Sequence, residues 1–298
     1  MRCLLAVGCA AAVWLSTVPA SAFCRTTTVP TDPSFSPEPG GCWAEGKFVY
    51  HSRACVGYAV EAPGSKKLDM PRFKELAAQA FATWEAVSCG GKPLTIDAQF
   101  TGDTSRTALG YDTRGGANAS AIVFWDDKWP HGSTSEVILT TLTFNKLTGE
   151  ILDADMEVNT ANVSFALGDP VPRTGTDMAS AMAHEVGHFF GIAHSPLREA
   201  TMFARYTPGT ITFRDLEPDD TEAICSVYLP SGRRATSSGE VAAGACDPSA
   251  PPPPTGSDDG GCSARPGASG GLGVGAAGVV GFALLGVLRA RRRRARTA

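Results

Sequence analysis

Residues 184–194 have the sequence HEVGHFFGIAH and hold three of the five histidines in a chain of 298 residues. On an α-helix, His184 and His188 are four residues apart, so their imidazoles lie on one face. Two neutral imidazoles on one face are ligands that zinc prefers. Gly191 can take the positive φ that turns the chain out of the helix, and His194 can then return as a third ligand. Three protein ligands leave one zinc position for water, as in catalytic sites.

Glu185 follows the first histidine and lies one step around the helix from the ligand face. From there its carboxylate can hold a water bound to the metal, so we expect it to act as the general base. A lone histidine on an apolar helix would be interpreted as an ordinary surface or core residue. Three histidines at offsets of 0, 4 and 10, with the glutamate and the glycine in place, argue against that interpretation.

The pattern HExxHxxGxxH in this stretch is the signature of the metzincin metalloproteases, and the chain resembles their matrixin branch. Ser195 directly after the third histidine is typical of matrixins, and Met202 stands where the family has its methionine turn. Tyr206 and the run LEPDDTEAICSVY at 216–228 resemble the matrixin Met-turn tyrosine and last helix. The resemblance is strongest between residues 177 and 228.

This resemblance implies an α+β, zincin-like catalytic domain with a twisted mixed sheet of about five strands and three helices, one of which carries HExxH. It implies a zinc metalloendopeptidase that hydrolyses peptide bonds of extracellular proteins. Met202 would form a hydrophobic floor below the metal. Residues 203–213 would line the pocket for the substrate residue that follows the scissile bond, with Phe203 and Tyr206 in its wall. A peptide in extended form would pair with the edge strand of the sheet.

Some features depart from the family pattern. No match to the cysteine-switch propeptide motif PRCGxPD is present, and only His51 and His131 remain for the second, structural zinc. We therefore expect one zinc ion. Asp153, Asp155 and Glu157 alternate with apolar residues along one predicted strand. We interpret these acids as a solvated face, with a Ca²⁺ site as the alternative.

The middle of the chain predicts one domain. About 190 residues between Cys42 and Pro230 contain no linker, enough for a single core. Asp69 and Pro71 begin a predicted helix with one apolar stripe. Further helices are predicted at 177–191 and 218–228, strands at 94–100 and 121–125, and a hairpin from 137–144 and 151–158. We assign residues 42–230 to the protease domain and 23–41 to a short N-terminal segment.

Residues 1–22 have the pattern of a signal peptide. Arg2 supplies the positive start, residues 4–15 are apolar, and Ala20, Ser21 and Ala22 form the small-residue cleavage site. We therefore expect an exported protein. Spaced cysteines outside the cytosol usually form disulfides. The six that we expect to pair, in one of 15 connectivities, are Cys24, Cys42, Cys55, Cys89, Cys225 and Cys246.

The C-terminal part predicts a linker and an anchor. Residues 231–261 are rich in Pro, Gly and Ser, as in solvated linkers. Residues 262–298 contain Cys262, an uncharged apolar stretch at 271–288 and a cluster of arginines, and they resemble the sorting tails of myxobacterial surface proteins. The apolar stretch is just long enough to span a membrane. The resemblance implies processing near Cys262 and anchoring at the cell surface or outer membrane, while a flexible Gly-rich tail is the alternative.

The charge of the chain excludes one class of function. Residues 23–288 carry 19 basic and 30 acidic side chains, whereas nucleic-acid binding needs a positive surface. We expect a monomer that binds protein or peptide substrates and reaches the membrane through residues 271–288. Two alternatives to a protease stay open: a catalytically silent, zinc-bearing surface adhesin, and a hydrolase of the same geometry that acts on a non-protein amide.

Overall fold

The structure is a computed structural model that describes residues 22–32, 35–37, 41–112, 118–132, 136–248 and 278–284. Its helices are α1 (Met70–Glu85), α2 (Met178–Phe189) and α3 (Pro218–Val227). The strands are β1 (Cys24–Arg25), β2 (Cys55–Glu61), β3 (Ser88–Cys89), β4 (Lys92–Pro93), β5 (Asp97–Thr104), β6 (Ser120–Phe124), β7 (Glu136–Phe144), β8 (Ile151–Val158), β9 (Phe165–Ala166), β10 (Thr176–Asp177), β11 (Ile192–Ala193), β12 (Arg205–Tyr206), β13 (Arg233–Thr236), β14 (Gly239–Ala242) and β15 (Gly278–Leu284).

Five strands form a central mixed sheet in the order β7-β8-β6-β2-β5. Strands β5, β2, β6 and β8 are parallel to one another, and β7 runs antiparallel to β8 as the predicted hairpin. Beyond β7, the sheet continues through β15 to β12. This mixed sheet and the three helices confirm the predicted α+β metzincin-like fold.

The first helix is positioned by its ends and its buried stripe. Asp69 caps α1 by accepting a hydrogen bond from the backbone N–H of Arg72, and a proline lies in the first turn. The buried residues repeat at helical spacing, as predicted: Phe73, Leu76, Ala77, Ala80, Phe81 and Trp84. The indole Nε1 of Trp84 donates to the carbonyl oxygen of Ala183 over 2.7 Å. This bond joins α1 to α2, the helix that carries the histidines.

The acids of β8 are not on a solvated face. Asp153, Asp155 and Glu157 are all buried. Asp155 accepts hydrogen bonds from the backbone N–H groups of Gly110 and Ala121 over 2.6 and 2.8 Å, and Glu157 accepts one of 2.7 Å from the indole Nε1 of Trp125. Burial raises the pKa of both Asp153 and Asp155. The prediction of a solvated face is therefore wrong, since the alternation of the strand does not show what covers its second face.

The six cysteines expected to pair form three disulfides. The bonds join Cys24 to Cys42, Cys55 to Cys246, and Cys89 to Cys225. The second and third close long stretches of chain, with sequence separations of 191 and 136 residues. They fix the C-terminal segment to β2 and α3 to β3.

Residues 231–248 differ from the predicted linker. Strands β13 and β14 form an antiparallel hairpin. Arg234 is fully buried in it, and its guanidinium donates to the backbone oxygens of His51 over 3.0 Å and Arg53 over 2.7 Å. The folded unit therefore extends past residue 230. Composition does not predict this extension, because the hairpin is polar. It is held to the domain by one arginine that donates to several buried carbonyl groups.

Several predicted features lie outside the described residues: residues 1–21 of the signal peptide, linker residues 249–261, Cys262 and the arginine cluster. Within the described parts of the chain, no helix is long and apolar enough to cross a membrane. Of the predicted membrane segment, residues 278–284 are described, and they form β15.

Candidate metal centre

Helix α2, which carries His184 and His188, begins after a residue that caps it and is followed by a glycine that lets the chain turn. Asp177 caps α2 by accepting hydrogen bonds from the backbone N–H of Ser180 over 2.9 Å and from its hydroxyl over 2.7 Å. Gly191, just past the helix, has a φ of +87°, a conformation that glycine adopts without strain. Strand β11 then returns the chain toward the helix, and it is followed directly by His194.

The three predicted ligands converge on one point. One ligand atom from each of His184, His188 and His194 lies within 4.8 Å of the other two. The Nε2 atoms of His188 and His194 are 3.2 Å apart. His184 and His188 are fully buried, and His194 is half-buried. Among the described residues this is the only group of three or more His, Cys, Asp or Glu side chains that could hold a metal ion.

Backbone carbonyls orient two of the rings. The Nδ1 of His184 lies 2.6 Å from the carbonyl oxygen of Thr201, and the Nδ1 of His188 lies 2.8 Å from that of Ile192. A carbonyl oxygen only accepts, so each Nδ1 carries the proton and each Nε2 keeps its lone pair for the cluster. Burial lowers the pKa of all three imidazoles, to about 4 for His194. Neutral imidazoles with lone pairs directed to one point suit a zinc ion.

The carboxylate of Glu185 is fully buried on the same helix. Its Oε2 accepts a hydrogen bond of 2.6 Å from the hydroxyl of Thr140 in β7, while Oε1 has no hydrogen-bond partner in the described part of the chain. Burial raises the pKa of Glu185 well above its ordinary value, although the Thr140 hydrogen bonds oppose that rise. Thr140 was not predicted, because no motif joins it to a residue 45 positions away.

Met202 lies beneath α2. Its side chain is buried, and a Cβ atom built on Gly187 would come within 2.2 Å of its Sδ. The backbone of this turn is fixed as well, since the N–H of Ser195 donates to the carbonyl oxygen of Met202 over 2.8 Å. The methionine turn thus packs against α2, which carries His184 and His188, and it follows His194 in the sequence.

Two acids of α3 hold this turn, and no sequence pattern predicts these contacts. Asp220 accepts hydrogen bonds from the backbone N–H groups of Thr201 over 2.8 Å and Met202 over 3.0 Å. Asp219 accepts a hydrogen bond of 2.7 Å from the hydroxyl of Ser195. Acidic residues are common in the first turn of a helix because they interact favourably with the helix dipole. Their presence there does not by itself indicate a contact with the turn. Their contacts with the turn depend on the tertiary fold.

The predicted pocket residues are both buried. Phe203 is 6% exposed and Tyr206 is fully buried. The Tyr206 hydroxyl donates to the carbonyl oxygen of Thr210 over 2.5 Å and accepts from the backbone N–H of Asp177 over 3.0 Å. Arg214 forms ion pairs of 2.7 Å with Asp177 and 2.8 Å with Asp169. The segment after the Met turn is thereby tied to the start of α2.

The other two histidines lie elsewhere. The Nε2 of His51 is 2.8 Å from the carbonyl oxygen of Phe189, and the Nε2 of His131 is 3.0 Å from a carboxylate oxygen of Glu157. Each imidazole is thus engaged by a neighbouring group of the protein. The expectation of a single zinc stays a prediction, and so does that of a Ca²⁺ site.

Comparison with known families agrees with the geometry. The family model described as matrixin, of peptidase family M10, matches residues 50–229, which is more than half of the chain. No curated protein matches the sequence. The matched range contains the five central strands of the sheet, the three histidines, Glu185 and the Met turn. The chain therefore belongs to the matrixin family of zinc-dependent metalloproteases, which act on protein or peptide substrates.

Proposed function

We propose that the protein is a zinc endopeptidase that hydrolyses peptide bonds of extracellular proteins, with Glu185 as general base. The observation that carries this proposal is the convergence of three histidine ligand atoms within 4.8 Å, two of them from the helix that also carries the buried Glu185. His184, His188 and His194 would hold the ion through Nε2. Zinc bound there would lower the pKa of a water molecule and polarise the substrate carbonyl.

Glu185 would accept a proton from the attacking water and pass it to the leaving amine. The hydroxyl of Thr140 donates to Oε2, which leaves Oε1 for the proton that is moved. The burial of this carboxylate on the helix that carries His184 and His188 supports this role, because it keeps bulk water away from the group that moves the proton. Thr140 is a positioning residue in this scheme.

The substrate would bind as an extended strand along β7, with the segment after the Met turn on its other side. Phe203 and Tyr206 would form the wall of the pocket for the residue after the cut. The hydrogen bonds of Tyr206 to Asp177 and Thr210 support this, because they hold that segment against the start of the helix with the ligands. Met202 would serve as the floor below the metal.

The compartment is also part of the proposal. Matrixin family members are generally extracellular, and three disulfides suit an oxidising environment. Together with the predicted signal peptide, they support an exported monomer that is secreted or anchored at the cell surface. Processing near Cys262 stays a prediction from the sequence.

The test is Glu185→Gln, which keeps the size of the side chain and removes the base. We expect kcat/KM on an unfolded protein substrate such as casein to fall by about 10³-fold, within the range for general bases. The variant should still bind one equivalent of zinc. Thr140→Val is the matched comparison, because it keeps the carboxylate and removes only its hydrogen bond.

We expect Thr140→Val to lose about tenfold, the value of one hydrogen bond to a charged group. Chelation should abolish the activity of the wild type, and added zinc should restore it. Unchanged activity in Glu185→Gln would refute the assigned base. A protein that binds zinc and cuts no peptide in a broad library, with residues 278–284 in place or removed, would instead indicate an adhesin.

A further inference from the structure

The outer edge of β7 is occupied by a segment of the chain's own C-terminal region. Strand β15 pairs with β7 antiparallel, from Gly278 opposite Leu142 to Ala283 opposite Glu136. On its other side, β15 pairs in parallel with β12, where Ala283 lies opposite Arg205. The segment 278–284 therefore lies between the sheet edge and the segment that follows the Met turn.

This position places β15 beside the candidate metal centre. Val280 is opposite Thr140, the residue whose hydroxyl binds the carboxylate of Glu185. The strand also lies close to α2. With β15 in this position, Thr140, His184 and Glu185 have no solvent-exposed surface. A substrate strand along β7 would need the same edge.

We propose that residues 278–284 are an internal ligand of the substrate cleft, so that the full chain is a latent form. The cleft opens when the segment leaves the edge, either by removal of the tail or by transfer of the segment into a membrane. The effect on catalysis rests on the proposed peptidase function. The strand pairing itself does not.

The edge of β7 requires a partner on physical grounds. Strand β7 has the sequence EVILTTLTF, nine residues without lysine or proline and with one charge, at its first position. Exposed edges usually carry charges, prolines or bulges, because unpaired backbone groups on a long apolar edge recruit other strands. Because β7 lacks lysine and proline and carries its one charge at its end, its edge is well suited to accept a strand of the same chain.

The segment 278–284 also suits this role. Its sequence GVVGFAL has two valines and a phenylalanine, which favour strands, and it contains no charge or proline. The surrounding stretch 271–288 contains six glycines, and each disfavours a helix by about 1 kcal/mol relative to alanine. The 29 residues from 249 to 277 can reach up to about 100 Å when extended, so the chain length permits the contact.

Hydrogen exchange of the full chain tests the pairing directly. The chain carries Glu185→Gln, so that no hydrolysis interferes, and the test variant adds Val279→Pro and Val280→Pro. Successive residues of an antiparallel strand direct their N–H groups to opposite sides, so the two prolines remove a donor to β7 in either register. Val274→Pro is the control, a valine of the same tail that precedes residues 278–284 in the sequence.

We expect the β7 amides that face β15, within residues 137–142, to exchange about tenfold faster or more in the double-proline variant. The Val274→Pro control should exchange like the parent chain. Equal exchange in all three proteins would overturn the proposal. So would an equal increase in the double variant and the control, because the effect would then not depend on the strand.

A second measurement tests the consequence for activity with Glu185 restored. The chain with Val279→Pro and Val280→Pro should cleave casein about tenfold faster than the parent. A synthetic peptide of residues 276–287 should inhibit that variant, and a peptide of the same composition in scrambled order should not. If no form cleaves casein, the proposed peptidase function fails, whereas the exchange result still decides the pairing. Inhibition by both peptides alike would contradict a specific internal ligand.

Discussion

His51 is a buried histidine outside the metal cluster whose surroundings favour the neutral imidazole. Its Nε2 donates to the carbonyl oxygen of Phe189, and Arg234 is fully buried nearby, with its Nε 3.0 Å from the His51 carbonyl oxygen. Burial is the main reason that the pKa of His51 is lowered from 6.5 to about 4, and the charge of Arg234 also lowers it. The structure therefore holds this imidazole in a form that an unfolded chain would protonate at mild acidity.

This difference predicts a stability that depends on pH. Between pH 6.5 and about 4 the unfolded chain binds a proton at His51 that the folded protein does not. The stabilisation is complete above pH 6.5 and is lost as the pH falls toward 4, by about 3 kcal/mol in all. His51→Gln can still donate to the Phe189 carbonyl and does not titrate.

The measurement is the free energy of unfolding in urea at several pH values, for the wild type and His51→Gln without metal. The cluster histidines titrate in both proteins, so their contribution cancels in the difference. We expect the wild type to lose stability relative to His51→Gln as the pH falls through this window. Parallel curves for the two proteins would contradict the prediction.

Among elements, those with local patterns could be predicted from the sequence. Strands β7 and β8 and the helices α1 and α2 follow from apolar spacing and capping residues within one stretch of chain. The short strands β11 and β12 have no such pattern, because each exists only through pairing with a distant segment. For the same reason the burial of Asp155 could not be predicted: its partners are the backbone N–H groups of Gly110 and Ala121.

The packing of α2 on α1 and on the Met turn leads to a prediction at Gly187. An added Cβ would lie 2.2 Å from the Sδ of Met202 and 2.7 Å from Cζ2 of Trp84. The methionine can move, but the indole is held by its hydrogen bond to Ala183. We expect Gly187→Ala to lower the free energy of unfolding by about 2 kcal/mol, although alanine favours a helix more than glycine does.

Urea unfolding of the variant checks this, together with zinc affinity, because a displaced Met202 would move the turn next to His184. Gly168→Ala is the control, since its added Cβ meets no atom within 4 Å and its backbone needs no positive φ. The control should change stability by less than about 0.5 kcal/mol. A Gly187→Ala protein as stable as the control would show that the two helices separate without cost.

For the whole molecule, the sequence predicted which cysteines pair but not their connectivity. Connectivity depends on which Cα atoms the fold brings within bonding range, and the Cα atoms of Cys89 and Cys225 lie 5.5 Å apart although the residues are 136 positions apart in the sequence. The extent of the folded unit is a similar case. The hairpin of β13 and β14 belongs to it through Arg234 and Cys246, and neither residue has a local pattern that indicates a contact with residues 51–55.

The disulfides differ in the lengths of chain that they close, and this difference predicts unequal contributions to stability. The Cys89–Cys225 bond spans 136 residues, whereas Cys24–Cys42 spans 18. If each bond acts by restricting the unfolded chain, its removal costs about 5 kcal/mol for the longer loop and about 3 kcal/mol for the shorter one. Guanidinium unfolding of the two double Cys→Ala variants, both with Cys262→Ser to prevent exchange, measures these costs. Equal losses, or a larger loss for Cys24–Cys42, would mean that local packing rather than loop length determines what each bond contributes.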